Sequence, residues 1–385
     1  MRHLAESITD CATLLDMSAY LCERKGDNYG FCSEHLYVSF YNPFTVPYTP
    51  VINPDDGSAY DLLLSQRVPG LSAQSRVYFW SGKTFLKNGS VVYEGDYVPN
   101  LVADLLAAGL TSAGTVYYTE DLRTWINIPG QLAQLQIGDF NGDGKADLAG
   151  IASNGSVWYT TNLSTWVNVP GSLAQLRVGD FNGDGKADLA GLTSNGSIWY
   201  TTDINTWTQI PGSLAQLRVG DFNGDGKADL AGLASGGSIW YTTDINTWTQ
   251  VPGGLVQLRV GDLNGDGKAD LAGLASDGST WYTTNLSAWT QVPGGLVQLR
   301  VGDLNGDGKA DLVGLANNGS IWYTTDLSTW TQIPGALSRL VVRHLNSDSK
   351  ADLIGLGSDG SIWYTTNLTA WSNSQGQLYR LAGDD

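Results

Sequence analysis

The sequence has little of what usually carries catalysis or crosses a membrane. Only three histidines occur among 385 residues, and charged residues make up 15% of the chain. No apolar run is long enough to span a bilayer as a helix. His3, His35 and His344 accompany no pairing of a nucleophile with a base. We therefore expect no catalytic residue and no enzyme.

Basic residues and cysteines are scarce as well. Against 38 acidic residues stand 21 basic ones, a formal net charge of −17, which argues against nucleic acid or an anionic membrane as a partner. Cys11, Cys22 and Cys32 allow at most one intrachain disulfide, and their role stays open. The first residues, Met1 to Glu6, lack a signal-peptide core, so export would need another route or a leader already removed.

Glycine and aromatic residues, in contrast, are abundant: the chain has 48 Gly, 14 Trp and 18 Tyr. From about residue 90 onward they recur in a unit of 41 residues, LRVGDFNGDGKADLAGLTSNGSIWYTTDINTWTQIPGSLAQ. Turn signals such as Asn195-Gly196 divide each unit into four segments of strand length. Four antiparallel strands in about 41 residues are the size of one β-propeller blade.

Degenerate copies of the unit determine the expected number of blades. The loop is worn to DYVPNLVAD at Asp96 and to HLNSDSKAD at His344, and a weaker copy starts near Asp61. The C-terminal stretch 378–384 resembles a lone first strand, which would complete a blade begun by residues 55–88. We predict an all-β propeller of eight four-stranded antiparallel blades closed by the chain termini, with seven blades as the alternative.

Residues 1–50 do not repeat. An interrupted helical pattern runs from Glu6 to Arg24, followed by an extended segment that contains several prolines. We expect a small, partly helical cap or anchor at 1–50 and the propeller at 51–385. Leu36 to Phe40 is a second candidate for the missing first strand of the opening blade.

The chemical motif of the repeat is the loop DFNGDGKAD, with Leu at its second position in two of five copies. Side-chain oxygens at positions 1, 3, 5 and 9, and a backbone carbonyl at position 7, suit a hard cation that takes six to eight oxygen ligands. We predict about five structural Ca²⁺ sites, at Asp139, Asn141, Asp143, Lys145, Asp147, Asp180, Asn182, Asp184, Lys186, Asp188, Asp221, Asn223, Asp225, Lys227, Asp229, Asp262, Asn264, Asp266, Lys268, Asp270, Asp303, Asn305, Asp307, Lys309 and Asp311. The copies at Asp96 and His344 are expected to have lost the ion.

The stretch GDFNGDGKADLAGL resembles the FG-GAP/VCBS calcium-loop repeat of integrin α-subunit propellers, many bacterial surface proteins and a sugar-binding mushroom lectin. The resemblance covers roughly residues 90–385. It implies a propeller with calcium loops on one face and a ligand on the opposite face or between blades. The family more often has seven blades, and this sequence adds a Trp-Tyr-Thr-Thr and a Thr-Trp pair in most blades.

Each full repeat carries two tryptophans, such as Trp199 and Trp207. Either both pack between blades, or one per blade lines a shallow groove where its flat face stacks on a sugar ring. The predicted groove residues are Trp158, Trp199, Trp240, Trp281, Trp322 and Trp363.

A site repeated in every blade suits binding better than catalysis. We therefore expect a calcium-stabilised, multivalent, lectin-like adhesion propeller, extracellular or at the cell surface, with glycans or surface glycoproteins as partners. The alternative is a structural subunit of a surface filament, sheath or virus particle that self-assembles through residues 1–50.

Overall fold

The computed structural model describes residues 105–346 and 348–383, and the backbone of four strands nearer the N-terminus. The chain divides into two compact units, 1–85 and 86–385. Residue 50, where the sequence placed the domain boundary, lies within a strand of the first unit. Within the described ranges, no helix has the length and apolar character that a membrane crossing needs.

The described part of the first unit is a four-stranded sheet with strand order β2-β1-β4-β3. Its strands are β1 (Met17–Lys25), β2 (Asn28–Val38), β3 (Tyr48–Ile52) and β4 (Ala59–Leu63). The predicted helical character of the cap is wrong over its second half, because the end of that segment pairs as a strand with its neighbour β2. Cys22 and Cys32 are cross-strand partners in this pairing, whereas Cys11 lies outside the described residues.

The second unit consists of four-stranded antiparallel sheets in which strands follow the chain order. We number the blades by their strands: blade 1 contains β32 and β5 to β7, and blades 2 to 7 contain successive sets of four from β8 to β31. The first strands, in blades 2 to 7 and then blade 1, are β8 (Gln134–Gly138), β12 (Gln175–Gly179), β16 (Gln216–Gly220), β20 (Gln257–Gly261), β24 (Gln298–Gly302), β28 (Arg339–Arg343) and β32 (Arg380–Leu381).

The remaining three strands of each blade share their lengths from copy to copy almost without exception. The second strands are β5 (Ala107–Leu110), β9 (Asp147–Ile151), β13 (Asp188–Leu192), β17 (Asp229–Leu233), β21 (Asp270–Leu274), β25 (Asp311–Leu315) and β29 (Asp352–Leu356). The third are β6 (Thr115–Thr119), β10 (Ser156–Thr160), β14 (Ser197–Thr201), β18 (Ser238–Thr242), β22 (Ser279–Thr283), β26 (Ser320–Thr324) and β30 (Ser361–Thr365). The fourth are β7 (Ile126–Gln131), β11 (Val167–Ser172), β15 (Thr208–Ser213), β19 (Thr249–Gly254), β23 (Thr290–Gly295), β27 (Thr331–Ala336) and β31 (Ser372–Gln377).

The predicted count of eight blades is wrong, because residues 105–383 form seven. The C-terminal strand does complete a blade, but it pairs Arg380 with Leu110 and Leu381 with Gly109, in the blade that begins at residue 105. The segment Asp61–Leu63, read as part of an eighth blade, belongs to β4 and pairs with β1 and β3 instead. Leu36 to Val38, the other candidate first strand, pairs with β1. The rest of the predicted eighth blade, residues 64–88, lies outside the described residues.

Apolar side chains pack between successive blades rather than at one common centre. The cluster around Ile198 and Ile210 of blade 3, for example, also contains Leu217 and Val219 of blade 4. Polar contacts reinforce the interface, since Leu217 donates its N–H to the Gln175 side chain (2.6 Å). The repeated arginines contribute too: Arg177 is only 2% exposed and donates from Nε to the carbonyl of Leu217 (2.9 Å).

The chain order places two kinds of connection at opposite ends of each blade. The acidic loop joins the first strand to the second, and a tight turn joins the second to the third. Because the second strand of blade 3 has five residues, at roughly 3.3 Å each the two ends are about 15 Å apart. Loops and turns therefore lie on opposite faces of the propeller.

Candidate functional site

The connection between the third and fourth strands fixes the position of the second tryptophan in each blade. In blade 6, Asp326 accepts hydrogen bonds from the backbone N–H of Ser328 (2.8 Å) and Thr329 (2.7 Å). Leu327, between Asp326 and Ser328, adopts a left-handed conformation with φ of 55°, which is strained for a residue with a Cβ. The side chain of Leu327 packs on the core of the preceding interface, which holds the turn closed. Trp330 follows directly from this turn.

Trp330 lies on the preceding blade. Its Nε1 donates to the carbonyl oxygen of Pro293 (2.5 Å), and a Cβ on Gly294 would approach that nitrogen to 3.2 Å. The indole thus occupies the space that a side chain on Gly294 would fill. The same bond, 2.5 to 2.8 Å long, joins Trp207 to Pro170, Trp248 to Pro211, Trp289 to Pro252 and Trp371 to Pro334.

The first tryptophan of the blade is held by a short relay of side chains. Trp322 donates from Nε1 to the hydroxyl of Ser320 (2.9 Å), and that hydroxyl donates to Oδ1 of Asn318 (2.7 Å). Asn318 also accepts the backbone N–H of Ser320 (3.0 Å), which closes the turn between the second and third strands. The relay fixes the orientation of both the indole and the amide.

Together these elements enclose a cavity of about 620 Å³ between blades 5 and 6. It is lined by both indoles, the Gly294–Leu296 segment of the preceding blade and the turn that contains Asn317, Asn318 and Ser320. Cavities of a few hundred cubic ångströms with mainly apolar walls and a few fixed polar groups are typical of small-ligand sites. This inter-blade cleft is the candidate functional site.

The pair of tryptophans recurs around the propeller. Blades 2 to 7 each contribute two tryptophans at these positions: Trp158 and Trp166, Trp199 and Trp207, Trp240 and Trp248, Trp281 and Trp289, Trp322 and Trp330, Trp363 and Trp371. Blade 1 differs, because Tyr117 takes the first position and Trp125 donates to Ser374 (2.9 Å) instead of a proline carbonyl. In blade 2 the buried Nε1 of Trp166 has no hydrogen-bond partner among the described residues.

The two interpretations of the tryptophans are not exclusive in the structure. The predicted groove residue Trp322 is partly buried against the interface core and also lines the cavity, and Trp330 does the same. Sequence reasoning missed the second tryptophan as a cleft residue, and it missed Gly294 and Asn318. The repeated Pro-Gly dipeptide, which precedes its tryptophan partner by 37 residues, was the available signal. A ligand in the cleft stays a prediction.

The predicted calcium loops form compact turns on the opposite face. In blade 2, Asp139 accepts the backbone N–H of Gly142 (2.6 Å) and of Gly144 (2.8 Å). Asp143 accepts the N–H of Lys145 (2.8 Å), and Asn141 accepts that of Asp143 (2.8 Å). The loop is thus prearranged by its own backbone, and each oxygen that accepts one N–H retains a second lone pair.

The last carboxylate of each loop lies in an unfavourable electrostatic environment. Asp147 is 2% exposed and accepts the N–H of Phe140 (2.9 Å). Burial, followed by the nearby charges of Asp139 and Asp143, raises its pKa to about 7. The pKa values of Asp188, Asp229, Asp270 and Asp311 are raised to about 7 for the same reasons.

Neighbouring loops are linked into a chain of contacts. The N–H of Ala187 in the loop of blade 3 donates to the carbonyl of Asp139 in blade 2 (2.6 Å), and Lys186 lies over Gly142 of that preceding loop. Among the described residues, no three His, Cys, Asp or Glu side chains are close enough to one another to hold a metal ion as they stand. The oxygen-rich donor set fits Ca²⁺ by chemistry, and binding would require the carboxylates to draw together.

The degenerate loop of blade 7 keeps the last carboxylate but not the first. His344 replaces the first aspartate, and Asp352 accepts the N–H of Leu345 (2.7 Å) through Oδ2. Oδ1 of Asp352 is buried without a hydrogen-bond partner in the described part of the chain. Burial first, and then the charge of Asp348, raises the pKa of Asp352 to about 7. The other degenerate copy, at Asp96, lies outside the described residues.

Comparison with known proteins identifies the repeat. The sequence profile of the Tectonin domain matches residues 64–268 and 183–383, which together cover most of the chain. No curated protein sequence matches the chain. The loop motif's resemblance to the calcium-loop repeats is therefore separate from the family that the profile identifies.

Several solved structures are distantly similar to the chain. BBS1N in complex with ARL6DN is 13% identical over 66% of this chain and 86% of its own, with a TM-score of 0.49. YCF48 from Cyanidioschyzon merolae is 15% identical over 75% and 98%, with a TM-score of 0.42. AztD from Citrobacter koseri is 11% identical over 72% and 96%, with a TM-score of 0.43. Similarities this distant give no information about the candidate site.

Proposed function

Because the chain belongs to the Tectonin domain family, we propose that it is a non-catalytic, lectin-like propeller that binds saccharides in its inter-blade clefts. Tectonin propellers often bind glycans. The observation that carries the proposal is the cleft of blade 6, with its two indoles and a hydrogen-bonded amide, together with the pair of tryptophans that recurs in blades 2 to 7.

The chemistry of the cleft suits a sugar ring. The flat faces of Trp322 and Trp330 provide apolar surface for the C–H face of a pyranose. Oδ1 of Asn318 already accepts two hydrogen bonds from Ser320, so its amide NH2 is the group that can donate to a sugar hydroxyl at the rim. Gly295 has no side chain, and the space beside it is open, which allows a ring to approach the wall closely.

Repetition converts weak sites into strong attachment. Six clefts with two tryptophans lie around one rigid propeller, so a surface with several sugar chains can engage more than one of them at once. Linked binding of this kind can raise the overall affinity by about 10² or more without any new contact. We place the partners among glycans and surface glycoproteins.

The proposal also includes calcium, as an ion that stabilises the loops. Five loops with oxygen donors in register, and with mutually repelling carboxylates near Asp147 and its counterparts, would be stabilised by a divalent cation. This holds whether or not the loops belong to the FG-GAP/VCBS family that they resemble. Extracellular calcium concentrations suit modest loop affinities, so we assign the protein to the cell surface or the extracellular space. The alternative, a self-assembling structural subunit, requires residues 1–50 and no occupied cleft.

The test is to find a bound saccharide on a broad glycan array and then count its sites by isothermal titration calorimetry. Trp322→Leu removes one aromatic wall and should lower the number of sites from six to five. Tyr117→Leu, at the equivalent position of the blade 1 cleft, is the matched control and should leave six. If no glycan binds in the presence of calcium, or if both variants behave alike, saccharide binding in these clefts is refuted.

A further inference from the structure

The six double-tryptophan clefts differ in charge at one rim position. The residue before the turn glycine carries an amide in three clefts, at Asn154, Asn195 and Asn318. It carries a carboxylate in two clefts, at Asp277 and Asp359, and it is glycine in one, at Gly236. The other elements of the cleft, including the proline carbonyl and the second tryptophan, are shared by blades 5, 6 and 7. Asn317, which lines the blade 6 cavity, is serine in blades 5 and 7, but this change leaves the charge of the cleft unaltered. The rim position before the turn glycine therefore sets the charge.

The carboxylates have the same geometry as the amide that lines the blade 6 cavity. In blade 5, Ser279 donates its hydroxyl (2.6 Å) and its N–H (2.9 Å) to Oδ1 of Asp277, and Trp281 donates to that hydroxyl (2.9 Å). Blade 7 repeats the arrangement with Asp359, where the distances are 2.5, 2.9 and 2.9 Å. Oδ2 of each aspartate has no hydrogen-bond partner among the described residues, so one oxygen is free to meet a ligand.

These two aspartates are ionised at neutral pH. Hydrogen bonds from the side chain of Ser279, and then from its backbone N–H, lower the pKa of Asp277, and Ser361 does the same for Asp359. Each of these clefts therefore combines two indoles with a fixed negative charge. The corresponding cleft of blade 6 combines two indoles with a neutral amide.

Aromatic faces beside a carboxylate attract an ammonium group, through the ring quadrupole and through direct charge pairing. On the basis of the proposed saccharide binding, we propose that the clefts of blades 5 and 7 prefer saccharides that carry a protonated amino group. The clefts with Asn154, Asn195 and Asn318 have no such preference, because each amide oxygen already accepts two hydrogen bonds and only the NH2 group is left to meet a ligand. One propeller thereby carries two classes of site.

The test compares β-1,4-linked glucosamine oligomers with glucose oligomers of the same linkage and length, which differ only in an ammonium or a hydroxyl at C2. Calorimetry near pH 6 and at low salt should show two sites per chain that bind the amino form about tenfold more tightly than the neutral form. Added salt should weaken these two sites selectively, because exposed charge pairs are screened.

The variants assign the preference to its residues. Asp277→Asn with Asp359→Asn should abolish both amine-selective sites and leave the total number unchanged, and Asn318→Asp should create a third. Equal affinity for the two oligomers, or a preference that survives the double substitution, overturns this inference while leaving saccharide binding intact. Binding of neither oligomer, with no other glycan bound on the array, overturns both.

Discussion

Blades 6 and 7 hold their tryptophans in the same way but differ at the opposite end of their strands. Both hold a tryptophan against the preceding proline carbonyl, through Trp330 and Trp371. Blade 6 has a complete acidic loop that begins at Asp303, whereas blade 7 has His344 in that position. The cleft therefore persists where the loop has decayed.

This difference indicates that the two ends of a blade have separate tasks. The polar rim of the cleft depends on the turn between the second and third strands, and one wall belongs to the preceding blade. The loop contacts the neighbouring loop on the other face, as when Ala351 of blade 7 donates to the carbonyl of Asp303 (2.6 Å). We expect the loops to contribute to stability and the clefts to binding, and the following experiments examine that separation.

Removal of calcium should have the largest effect. Each filled loop adds about 2.7 kcal/mol when the free ion is at 100 times its dissociation constant, so chelation should lower the melting temperature by well over about 10 °C. Hydrogen exchange should show that the amides of Gly306 and Gly308, which are bonded to Asp303, lose protection. The amides of Asp348 and Lys350 in blade 7 serve as the internal control, and equal loss in both blades would contradict the assignment.

Replacing the last carboxylate of the loop should change the free energy of unfolding in opposite directions in blade 7 and blade 6. The folded-state pKa of Asp352, about 7, lies above its unfolded value near 4. Its ionisation therefore lowers the free energy of unfolding as pH rises from about 4 to 7, by up to about 1.4 kcal/mol per pH unit. Asp352→Asn should flatten this slope and stabilise the protein at pH 7.

The matched change in blade 6 is Asp311→Asn, measured by the same denaturant titrations in the presence of calcium. This change removes a proposed ligand and should destabilise the protein. If both variants shift stability in the same direction at pH 7, the electrostatic distinction between the two loops fails.

The number of bound ions should change without any change in the number of bound sugars. Asp303→Ala should reduce the calcium bound per chain from about five ions to four, measured by equilibrium dialysis with elemental analysis. Conversely, His344→Asp with Ser349→Gly restores the first ligand and the turn glycine in blade 7, and should add one ion. Both proteins should bind the same number of saccharides as the wild type, so a parallel loss of sugar sites would show that the two ends are coupled.

The smallest effect concerns the turn that positions the second tryptophan. Hydrogen bonds from the backbone N–H groups of Thr329 and Ser328 lower the pKa of Asp326, and Asn367 holds the same place in blade 7. A lowered folded-state pKa contributes stability above the unfolded value near 4, and this is lost as pH falls below it. Asp326→Asn should make acid unfolding slightly less steep, and Asn367→Asp should make it slightly steeper.

The sequence predicted the blades well and their closure poorly. Local turn signals such as Asn195-Gly196 determine the strands within a repeat, and each of the repeats between residues 134 and 377 folds accordingly. The extra blade was inferred from the apolar stretch at Asp61, which has the composition of a strand. This segment pairs with β1, which is distant in sequence, and composition does not indicate which strand it pairs with.

The site was predicted in part for a similar reason. The tryptophans of the third strand stand out by their repetition. The contact of Trp330 with Pro293 joins residues of different blades, so it becomes visible only when the blades are placed side by side. The relay from Trp322 to Asn318 depends on turn geometry, which the sequence indicated only as a favourable dipeptide.

Native mass spectrometry of the intact, calcium-loaded chain during titration with a bound saccharide tests the central claim most directly. The account predicts that ligands add stepwise up to six per chain, one for each cleft with two tryptophans, and that Trp322→Leu stops at five. Saturation at a single ligand, or six ligands on both the wild type and this variant, would contradict binding in the inter-blade clefts.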